Sequence, residues 1–354
     1  MTVKTLGILG GGQLGRMSAL AAARLGISCI IYTPEDNSPA AQVAYKTILG
    51  DYLDKAKLKD FAALVDVISY EFENIPVETV QYLKTLKPVL PNDNLLDVAQ
   101  DRIKEKSFLN SIGIPTARWA AVDSSADILK SFEKWESTHT ILKTARFGYD
   151  GKGQARIHKD SDINATLQKF TGKKLILEDL VDFDCEISVI VARDKSGNIE
   201  SYGPMRNEHA NHILSKTTIP AGIPDILAAE AVTLTKKLAE SLNLIGVLAL
   251  EMFVTKDGRI LANEIAPRTH NSGHWTIDAC AVSQFENHVR AVCGLPLGKP
   301  ARHSDAEMLN LIGDDINKVP NYLKQENACV HLYGKHDSRA GRKMGHVTLL
   351  KEKA

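Results

Sequence analysis

The chain has 354 residues, enough for two or three domains, and its 43 basic and 43 acidic residues give a formal net charge of zero. This balance argues against a protein-wide field for nucleic acid or a membrane, and no apolar run approaches the roughly 20 residues that span a bilayer. Five cysteines without a CxxC pair, and an N-terminus without a signal-peptide layout, predict a cytoplasmic protein with reduced thiols.

The first hundred residues predict a small parallel α/β sheet. An apolar strand at Leu6–Leu9 is followed by a glycine-rich turn, an alanine-rich helix and a second strand at Ser28–Tyr32. A second alternation follows, with a helix at Asp54–Leu64, a strand at Val65–Tyr70 and a helix at Val77–Leu86. Strands that alternate with helices favour parallel pairing.

The turn itself, Gly10-x-Gly12-x-x-Gly15, fits the dinucleotide fingerprint because a strand precedes it and a helix follows. The acidic residue that should end the second strand is poorly placed, since that strand ends in Tyr32-Thr-Pro34. A tight turn that offers helix N-terminal amides to another anionic ligand fits equally well.

After a helix at Asp101–Ser111 the pattern changes to antiparallel strands around a glycine-rich loop. Lys143 lies near the end of the strand Thr140–Thr144. The segment Gly148-Tyr149-Asp150-Gly151-Lys152-Gly153-Gln154 follows this strand. Three glycines let backbone amides approach phosphates, and such a loop can close as a flap. An ordinary glycine hairpin with surface lysines remains the alternative. Later segments comprise strands Leu175–Leu177, Glu186–Ala192, Ile199–Tyr202 and Val247–Val254, helices Ile226–Leu242 and Ser283–Cys293, and apolar runs Met308–Ile312 and Val330–Tyr333.

A hairpin with two opposed carboxylates is predicted around Asp257-Gly258, a typical two-residue turn. Two residues then face each other when their numbers add up to 515, which pairs Phe253 with Ala262 and Glu251 with Glu264. Opposed carboxylates repel by about 1 kcal/mol when solvated and about 4 kcal/mol when half buried. A Mg²⁺ ion would compensate, because it prefers one or two carboxylates plus phosphate oxygens. Two solvated edge-strand glutamates are the alternative.

Three further motifs suit a nucleotide or an anion. Leu177-Glu178-Asp179-Leu180-Val181 can offer backbone groups to a purine, with Glu186 for ribose hydroxyls, although solvated acids at a strand end fit as well. Arg268-Thr-His270-Asn271-Ser-Gly-His274-Trp275 places cationic groups where charge develops in phosphoryl transfer; metal ligation by the histidines and loop packing remain open. Lys335 to His346 forms a basic segment for a substrate phosphate, or a solvated loop.

Together these motifs resemble the ATP-grasp superfamily, and more closely the N5-carboxyaminoimidazole ribonucleotide synthases of purine biosynthesis. Four blocks in the family's order carry the resemblance: Gly12–Met17, Phe147–Gln154, Asn263–Trp275 and Gly341–His346. The resemblance implies a mixed α/β and α+β fold of the ATP-grasp type. Its parts are an N-terminal parallel α/β (pre-ATP-grasp) domain at 1–100, an ATP-grasp domain with the flap at 101–295, and a small C-terminal domain at 296–354.

The reaction implied by this resemblance is an ATP-dependent carboxylation. ATP, with Mg²⁺, phosphorylates bicarbonate, and the resulting carboxyphosphate or CO₂ carboxylates the exocyclic amine of 5-aminoimidazole ribonucleotide. ADP and phosphate leave. The resemblance also implies a homodimer.

The resemblance assigns roles to individual residues. Those expected to contact ATP are Arg102, Lys143, Gly148, Tyr149, Asp150, Gly151, Lys152, Gly153, Gln154, Glu178, Asp179, Leu180, Val181, Glu186, His209, Asn263 and Glu264. Glu251 and Glu264 hold Mg²⁺. The ribonucleotide is assigned to Gln13, Leu14, Glu73, Asn271, Lys335, Arg342 and Lys343. Tyr149, Asp150, Arg268 and Lys343 are expected at the reacting centre. One departure is His212, because relatives more often carry glycine there.

Three other functions compete with this interpretation. A formate-dependent glycinamide ribonucleotide transformylase belongs to the same superfamily, but the block Asn271–Trp275 favours the carboxylase. A dinucleotide-dependent oxidoreductase would rest on Gly10–Gly15 alone. A non-catalytic nucleotide-binding module would need neither Glu251 nor Glu264.

Overall fold

The N-terminal part of the chain forms a parallel sheet covered by helices. The structure is a computed structural model that describes residues 3–148 and 152–353. Its first elements are β1 (Thr5–Leu9), α1 (Gln13–Arg24), β2 (Ser28–Thr33), β3 (Lys46–Leu49), α2 (Lys55–Ala63), β4 (Val67–Tyr70), α3 (Val77–Lys84) and α4 (Asp93–Gln100). The strand order is β3-β2-β1-β4, and all three pairings are parallel, which confirms the predicted sheet.

A second, smaller sheet carries the glycine-rich loop. The elements here are α5 (Arg102–Ser111), β5 (Trp119–Val122), α6 (Ser125–Trp135), β6 (His139–Thr144), β7 (Gln154–His158), α7 (Ile163–Gln168) and β8 (Leu175–Asp179). The antiparallel strands lie in the order β5-β8-β6-β7. Since β6 and β7 are neighbours, the loop between them projects from one end of this sheet.

The third sheet is the largest and has eight strands. Its part of the chain contains β9 (Phe183–Arg193), β10 (Ile199–Ala210), β11 (Ile213–Ile219), α8 (Asp225–Ser241), β12 (Gly246–Thr255), β13 (Ile260–Ala266), α9 (Thr276–Ala279), α10 (Gln284–Val292), β14 (Asp305–Ile312), α11 (Val319–Tyr322), β15 (Ala328–Leu332) and β16 (Lys343–Lys351). The strand order is β13-β12-β9-β10-β11-β14-β16-β15. Single 3-10 turns lie at Asn271–Gly273 and Gly313–Lys318.

The C-terminal strands continue this third sheet. β14 pairs with β11, and β16 then pairs with β14 and β15. Residues after 296 therefore do not build a sheet of their own, although the predicted domain boundaries themselves stay predictions. β16 starts at Lys343, so the basic segment from Lys335 to His346 is partly a strand.

The main core lies between the third sheet and helix α8. Strand β9 is flanked by β10 and β12, and its residues from Ile187 to Ala192 are fully buried. Leu227, Ala231 and Leu238 of α8 pack in the same cluster. Burying one large aliphatic side chain contributes about 1.5–3 kcal/mol, so this core fixes the strands that carry the site. No helix in the described part of the chain is long and apolar enough to cross a membrane.

The β12–β13 hairpin differs from its prediction in a specific way. Its loop has three residues, because Gly258 N donates to Thr255 O and Thr255 N to Arg259 O, each at 2.9 Å. Gly258 has a φ of +77°, as a type I turn with a glycine bulge requires. Phe253 therefore faces Leu261, and the predicted pairing with Ala262 is wrong. An unpaired residue at Asn263 restores the register, so Glu251 does face Glu264.

Candidate active site

Each of the two opposed glutamates is bound by a basic side chain of the protein. Glu251 Oε1 lies 2.9 Å from His270 Nε2, and Glu264 Oε2 lies 3.2 Å from Arg102 Nη1. Burial alone would raise the pKa of Glu251, but the hydrogen bond and charge of His270 lower it below its usual value. Repulsion between the glutamates is thus offset within the chain, and the Mg²⁺ ion that the sequence predicts there stays a prediction.

The same pair nevertheless suits a hard divalent cation. Two carboxylates on one face of a hairpin are the oxygen ligands that Mg²⁺ prefers. The Glu264 side chain is 41% exposed, so its oxygens can be reached from outside. Arg102 and His270 would then sit beside the ion and contact the negative groups that it brings.

Helix α5 positions Arg102 between the hairpin and the glycine-rich loop. Asp101 caps the helix by accepting hydrogen bonds from the amides of Ile103 and Lys104. This cap places Arg102 in the first turn, where its guanidinium also donates to Gly148 O at 3.2 Å. The predicted phosphate ligand therefore touches both the loop and Glu264.

Two buried residues of α5 were missed by the sequence analysis. Lys106 is fully buried, and its Nζ donates to Asn263 O at 2.8 Å. Glu105 accepts a hydrogen bond from Ile265 N at 2.6 Å, and burial raises the pKa of its carboxyl to about 8. The available signal was their spacing, because positions three and four after Arg102 lie on the same helix face.

Glu178 is held ionised inside the protein. Lys143 Nζ lies 2.7 Å from one of its oxygens and Lys106 Nζ lies 3.9 Å from the other. Burial would raise the pKa of Glu178, but these two lysines lower it to about 2. Its carboxylate is thus occupied by lysines, which leaves backbone groups as its means of contacting a purine.

The predicted purine segment follows at the crossing between two sheets. Asp179 ends β8 and pairs with Arg118, Nη2 to Oδ2, at 2.5 Å. Leu180 is 40% exposed. Together with Val181 these residues line a cavity of about 550 Å³ whose other wall is the tip of the β12–β13 hairpin. The predicted segment thus borders a space that is large enough for a planar base.

The two residues predicted for the ribose side of ATP lie together. Glu186 in β9 forms an ion pair with His209 in β10 through Oε2 and Nδ1. Burial would lower the pKa of His209, but Glu186 raises it above its usual value. The pair therefore offers a carboxylate and an imidazole close to the β10–β11 turn.

The described part of the glycine-rich loop is closed at its base. Thr144 N donates to Gly153 O at 2.8 Å, and Lys143 faces Gln154 across β6 and β7. Gly153 has a φ of +75°, and a Cβ there would lie 2.7 Å from Thr144 Oγ1. Lys152 is exposed. The predicted residues Tyr149, Asp150 and Gly151 lie outside the described residues.

The glycine turn before α1 binds a carboxylate of the chain itself. Glu71, directly after β4, accepts hydrogen bonds from Gly12 N and, at 2.7 Å, from Gly15 N. A Cβ at Gly12 would lie only 2.7 Å from Glu71 Oε1. A pyrophosphate would need these amides, so the dinucleotide interpretation of this turn is wrong.

Residues predicted for the ribonucleotide and for the reacting centre meet near this turn. Gln13 and Leu14 begin α1, and Glu73 binds the guanidinium of Arg268. Burial would raise the pKa of Glu73, but Arg268 lowers it to about 2. Arg268 is therefore already paired with a carboxylate, which positions it between the N-terminal sheet and the hairpin.

Asn271 and the basic segment complete this group. Both side-chain polar atoms of Asn271 are buried without a hydrogen-bond partner among the described residues. Lys335 Nζ donates to Lys343 O at 2.8 Å, and Arg342 Nη1 donates to Asp337 O at 3.0 Å. Gln42 Nε2 donates to Gly334 O at 2.7 Å, which docks the segment on the N-terminal part. Buried unpaired amide groups are rare and indicate a ligand position.

Comparison with known proteins identifies the family. The sequence models of three domains match in order: the ribonucleotide synthetase preATP-grasp domain at 3–100, the ATP-grasp domain at 107–285, and the phosphoribosylaminoimidazole carboxylase C-terminal domain at 306–354. An N5-carboxyaminoimidazole ribonucleotide synthase of Brucella melitensis is 51% identical over 98% of this chain and 96% of its own length. The chain belongs to the N5-carboxyaminoimidazole ribonucleotide synthase family.

Solved structures agree with this assignment. An N5-carboxyaminoimidazole synthetase from Staphylococcus aureus complexed with ADP has a TM-score of 0.93 and 35% identity, covering 99% of this chain and 94% of its own. An Aspergillus clavatus N5-carboxyaminoimidazole synthase in complex with ADP and 5-aminoimidazole ribonucleotide has a TM-score of 0.92 and 30% identity, with coverage of 99% and 94%. The predicted family, its ATP-grasp fold and its class, an ATP-dependent ligase of purine biosynthesis, are confirmed.

Proposed function

We propose that this protein uses ATP and bicarbonate to carboxylate 5-aminoimidazole ribonucleotide, with Mg²⁺ held by Glu251 and Glu264. One observation carries the proposal beyond family membership. The opposed glutamates lie between Arg102, which contacts the glycine-rich loop, and His270, which belongs to the block ending at Trp275. A phosphate donor on one side and an acceptor on the other would therefore meet at the hairpin.

On the nucleotide side, each group of residues has a distinct task. Arg102 and Lys143 bind phosphate oxygens, and backbone amides from Gly148 to Gln154 cover them. The segment Asp179–Val181 holds the purine, and Glu186 with His209 holds the ribose. When bound, Mg²⁺ neutralises phosphate charge and polarises the transferred phosphoryl group.

On the acceptor side, the ribonucleotide lies between the start of α1 and the basic segment. Asn271 supplies two unpaired polar atoms to it, and Lys335, Arg342 and Lys343 neutralise its phosphate. Gln13, Leu14 and Glu73 border it from the N-terminal part.

The chemistry needs water to be excluded. A bicarbonate oxygen attacks the γ-phosphorus and ADP leaves; the amine nitrogen then attacks the carboxyl carbon and phosphate leaves, with one proton released. Carboxyphosphate is short-lived in water, so closure of the glycine-rich loop protects it. Arg268 and Lys343 supply positive charge there, and Tyr149 and Asp150, which lie outside the described residues, are proposed to take part in the reaction.

The direct test measures ADP release by the purified chain with Mg²⁺. Full release is expected only when 5-aminoimidazole ribonucleotide and bicarbonate are both present. The Glu264→Gln variant should melt at the same temperature and lose about 100-fold or more of this activity, because its metal ligand is weakened. Release that is unaffected by omitting the ribonucleotide contradicts the substrate assignment.

The same assay separates the competing functions. Formate in place of bicarbonate, with glycinamide ribonucleotide as acceptor, should give no turnover. Titration with a reduced nicotinamide dinucleotide should leave its fluorescence unchanged, because Glu71 occupies the amides of the glycine turn. We also propose that the protein is a cytoplasmic homodimer. Light scattering on the purified chain tests whether it is a dimer.

A further inference from the structure

Three potential metal ligands other than Glu251 and Glu264 lie close together in the described part of the chain. His331 in β15 and His346 in β16 are directly opposite each other in the antiparallel ladder. Their rings stack with centroids 4.6 Å apart. Asp278 in α9 reaches the same point, and both of its carboxylate oxygens lie 3.0 Å from His331 Nε2. One ligand atom from each of the three residues lies within 4.8 Å of the others.

One nitrogen in this cluster has no partner in the described part of the chain. His346 is fully buried, and its Nδ1 lies 2.9 Å from the Tyr333 hydroxyl. Its other nitrogen, Nε2, is buried without a hydrogen bond. A buried imidazole whose remote nitrogen is fixed by a hydrogen bond is the usual arrangement of a metal-ligating histidine.

A further buried histidine lies beside the cluster. His274 is also buried, and the centroid of its ring lies 4.8 Å from that of His346. Its Nδ1 has no hydrogen-bond partner among the described residues.

We propose that Asp278, His331 and His346 form a binding site for a divalent transition-metal ion such as Zn²⁺. Two imidazoles and a carboxylate suit Zn²⁺, with His274 or water as a fourth ligand, whereas Mg²⁺ prefers an all-oxygen set. The site is independent of the proposed function, because none of its three ligands belongs to the nucleotide or ribonucleotide groups.

An ion at this site would act on the basic segment. β15 ends at Leu332 and β16 begins at Lys343, so residues 333–342, with Lys335 and Arg342, form the connection between them. A metal bound to one histidine of each strand and to α9 would fix the base of this connection. Metal binding should therefore raise the melting temperature of the protein.

The test is a Zn²⁺ titration of the metal-free protein with ADP and excess Mg²⁺, which fills the glutamate site. Wild type should bind one ion with a dissociation constant tighter than about 10 µM. Asp278→Asn and His331→Asn should each weaken binding by at least about tenfold. Unchanged binding in either variant, or no binding by wild type, overturns the proposal.

A matched control comes from another histidine pair. His139 and His158 also face each other across two strands, with ring centroids 4.2 Å apart, but both are exposed. His158→Asn should leave Zn²⁺ affinity unchanged, and a loss there would contradict the assignment.

A second readout avoids variants altogether. Zinc X-ray absorption of the wild-type protein should show at least two imidazole ligands at about 2.0–2.1 Å. A shell made only of oxygens would place the ion elsewhere and overturn the proposal.

Discussion

Burial tunes the ammonium group of Lys335 for anion binding. Its pKa falls to about 8, mainly because the group is desolvated and also because Arg342 and Lys343 are close. Below pH 8 the side chain carries a charge, and above pH 8 it loses that charge. In the proposed site this charge faces the phosphate of the ribonucleotide.

The pH dependence follows from this pKa. We expect kcat/KM for the ribonucleotide to fall as the pH rises through 8, by up to about tenfold per pH unit. Lys335→Arg should move the decline to higher pH, because arginine stays protonated. Profiles of kcat/KM for wild type and variant check this, and coincident profiles would contradict it.

Glu71 stabilises the N-terminal part by binding the glycine turn. Glu71→Ala leaves the amides of Gly12 and Gly15 without their acceptor in a buried place, so the free energy of unfolding should fall by about 2–3 kcal/mol. Urea unfolding measures this. Glu35→Ala, at an exposed position, should cost under about 0.5 kcal/mol. A loss as small for Glu71→Ala would contradict the role.

The contacts of single residues could be predicted only in part. The resemblance supplied the nucleotide set, and the structure brings Glu186 to His209 and Lys143 to Glu178. The resemblance did not supply Lys106 or Glu71, because the side chain of each binds backbone groups far away in the sequence. Local patterns carry no information about such distant partners.

Among the elements, the β12–β13 hairpin shows how the Glu251–Glu264 pair was predicted correctly although the predicted register of the strands was wrong. The sequence predicted a two-residue turn, whereas the loop has three residues, and Asn263 then adds a compensating bulge. Asp-Gly does mark the turn, but neither the loop length nor the bulge has a sequence signal as strong. Glu251 and Glu264 face each other because the two errors cancel.

The β10–β11 turn explains the expected glycine at position 212. Ala210 pairs with Ile213, so Asn211 and His212 form a two-residue turn with φ values of +51° and +64°. Both positions require the left-handed region, which asparagine tolerates well and most other side chains do not. His212 therefore carries backbone strain next to His209.

Glycine at this position should relieve the strain. We expect His212→Gly to raise the free energy of unfolding by about 1 kcal/mol, measured by urea unfolding. His212→Ala keeps a Cβ and should bring no such gain. Equal stability of the glycine and wild-type chains would contradict a strained turn.

In the molecule as a whole, the N-terminal and C-terminal parts are joined beside the proposed ribonucleotide site. Gln42 donates to Gly334 O at 2.7 Å and accepts from Arg16 Nη1 at 2.9 Å. This contact holds the basic segment against the start of α1. The sequence predicted a short third piece after Pro296, and the strands of this piece extend the large sheet.

Loss of this contact should affect one substrate only. Gln42→Ala should raise KM for the ribonucleotide about fivefold, the value of one hydrogen bond, and leave KM for ATP unchanged. Gln168→Ala, at an exposed position of α7, serves as the control. A matched rise in both KM values would show that the contact is only structural.

We expect a phosphoryl group to pass from ATP to bicarbonate at the Glu251–Glu264 hairpin. If it does, the new phosphorus–oxygen bond keeps a bicarbonate oxygen, which stays with the phosphate when the carboxyl group moves to the amine. Turnover with ¹⁸O-labelled bicarbonate, followed by mass spectrometry of the released phosphate, should show one labelled oxygen per phosphate. Unlabelled phosphate would mean that water attacks ATP, and this result would contradict phosphoryl transfer to bicarbonate.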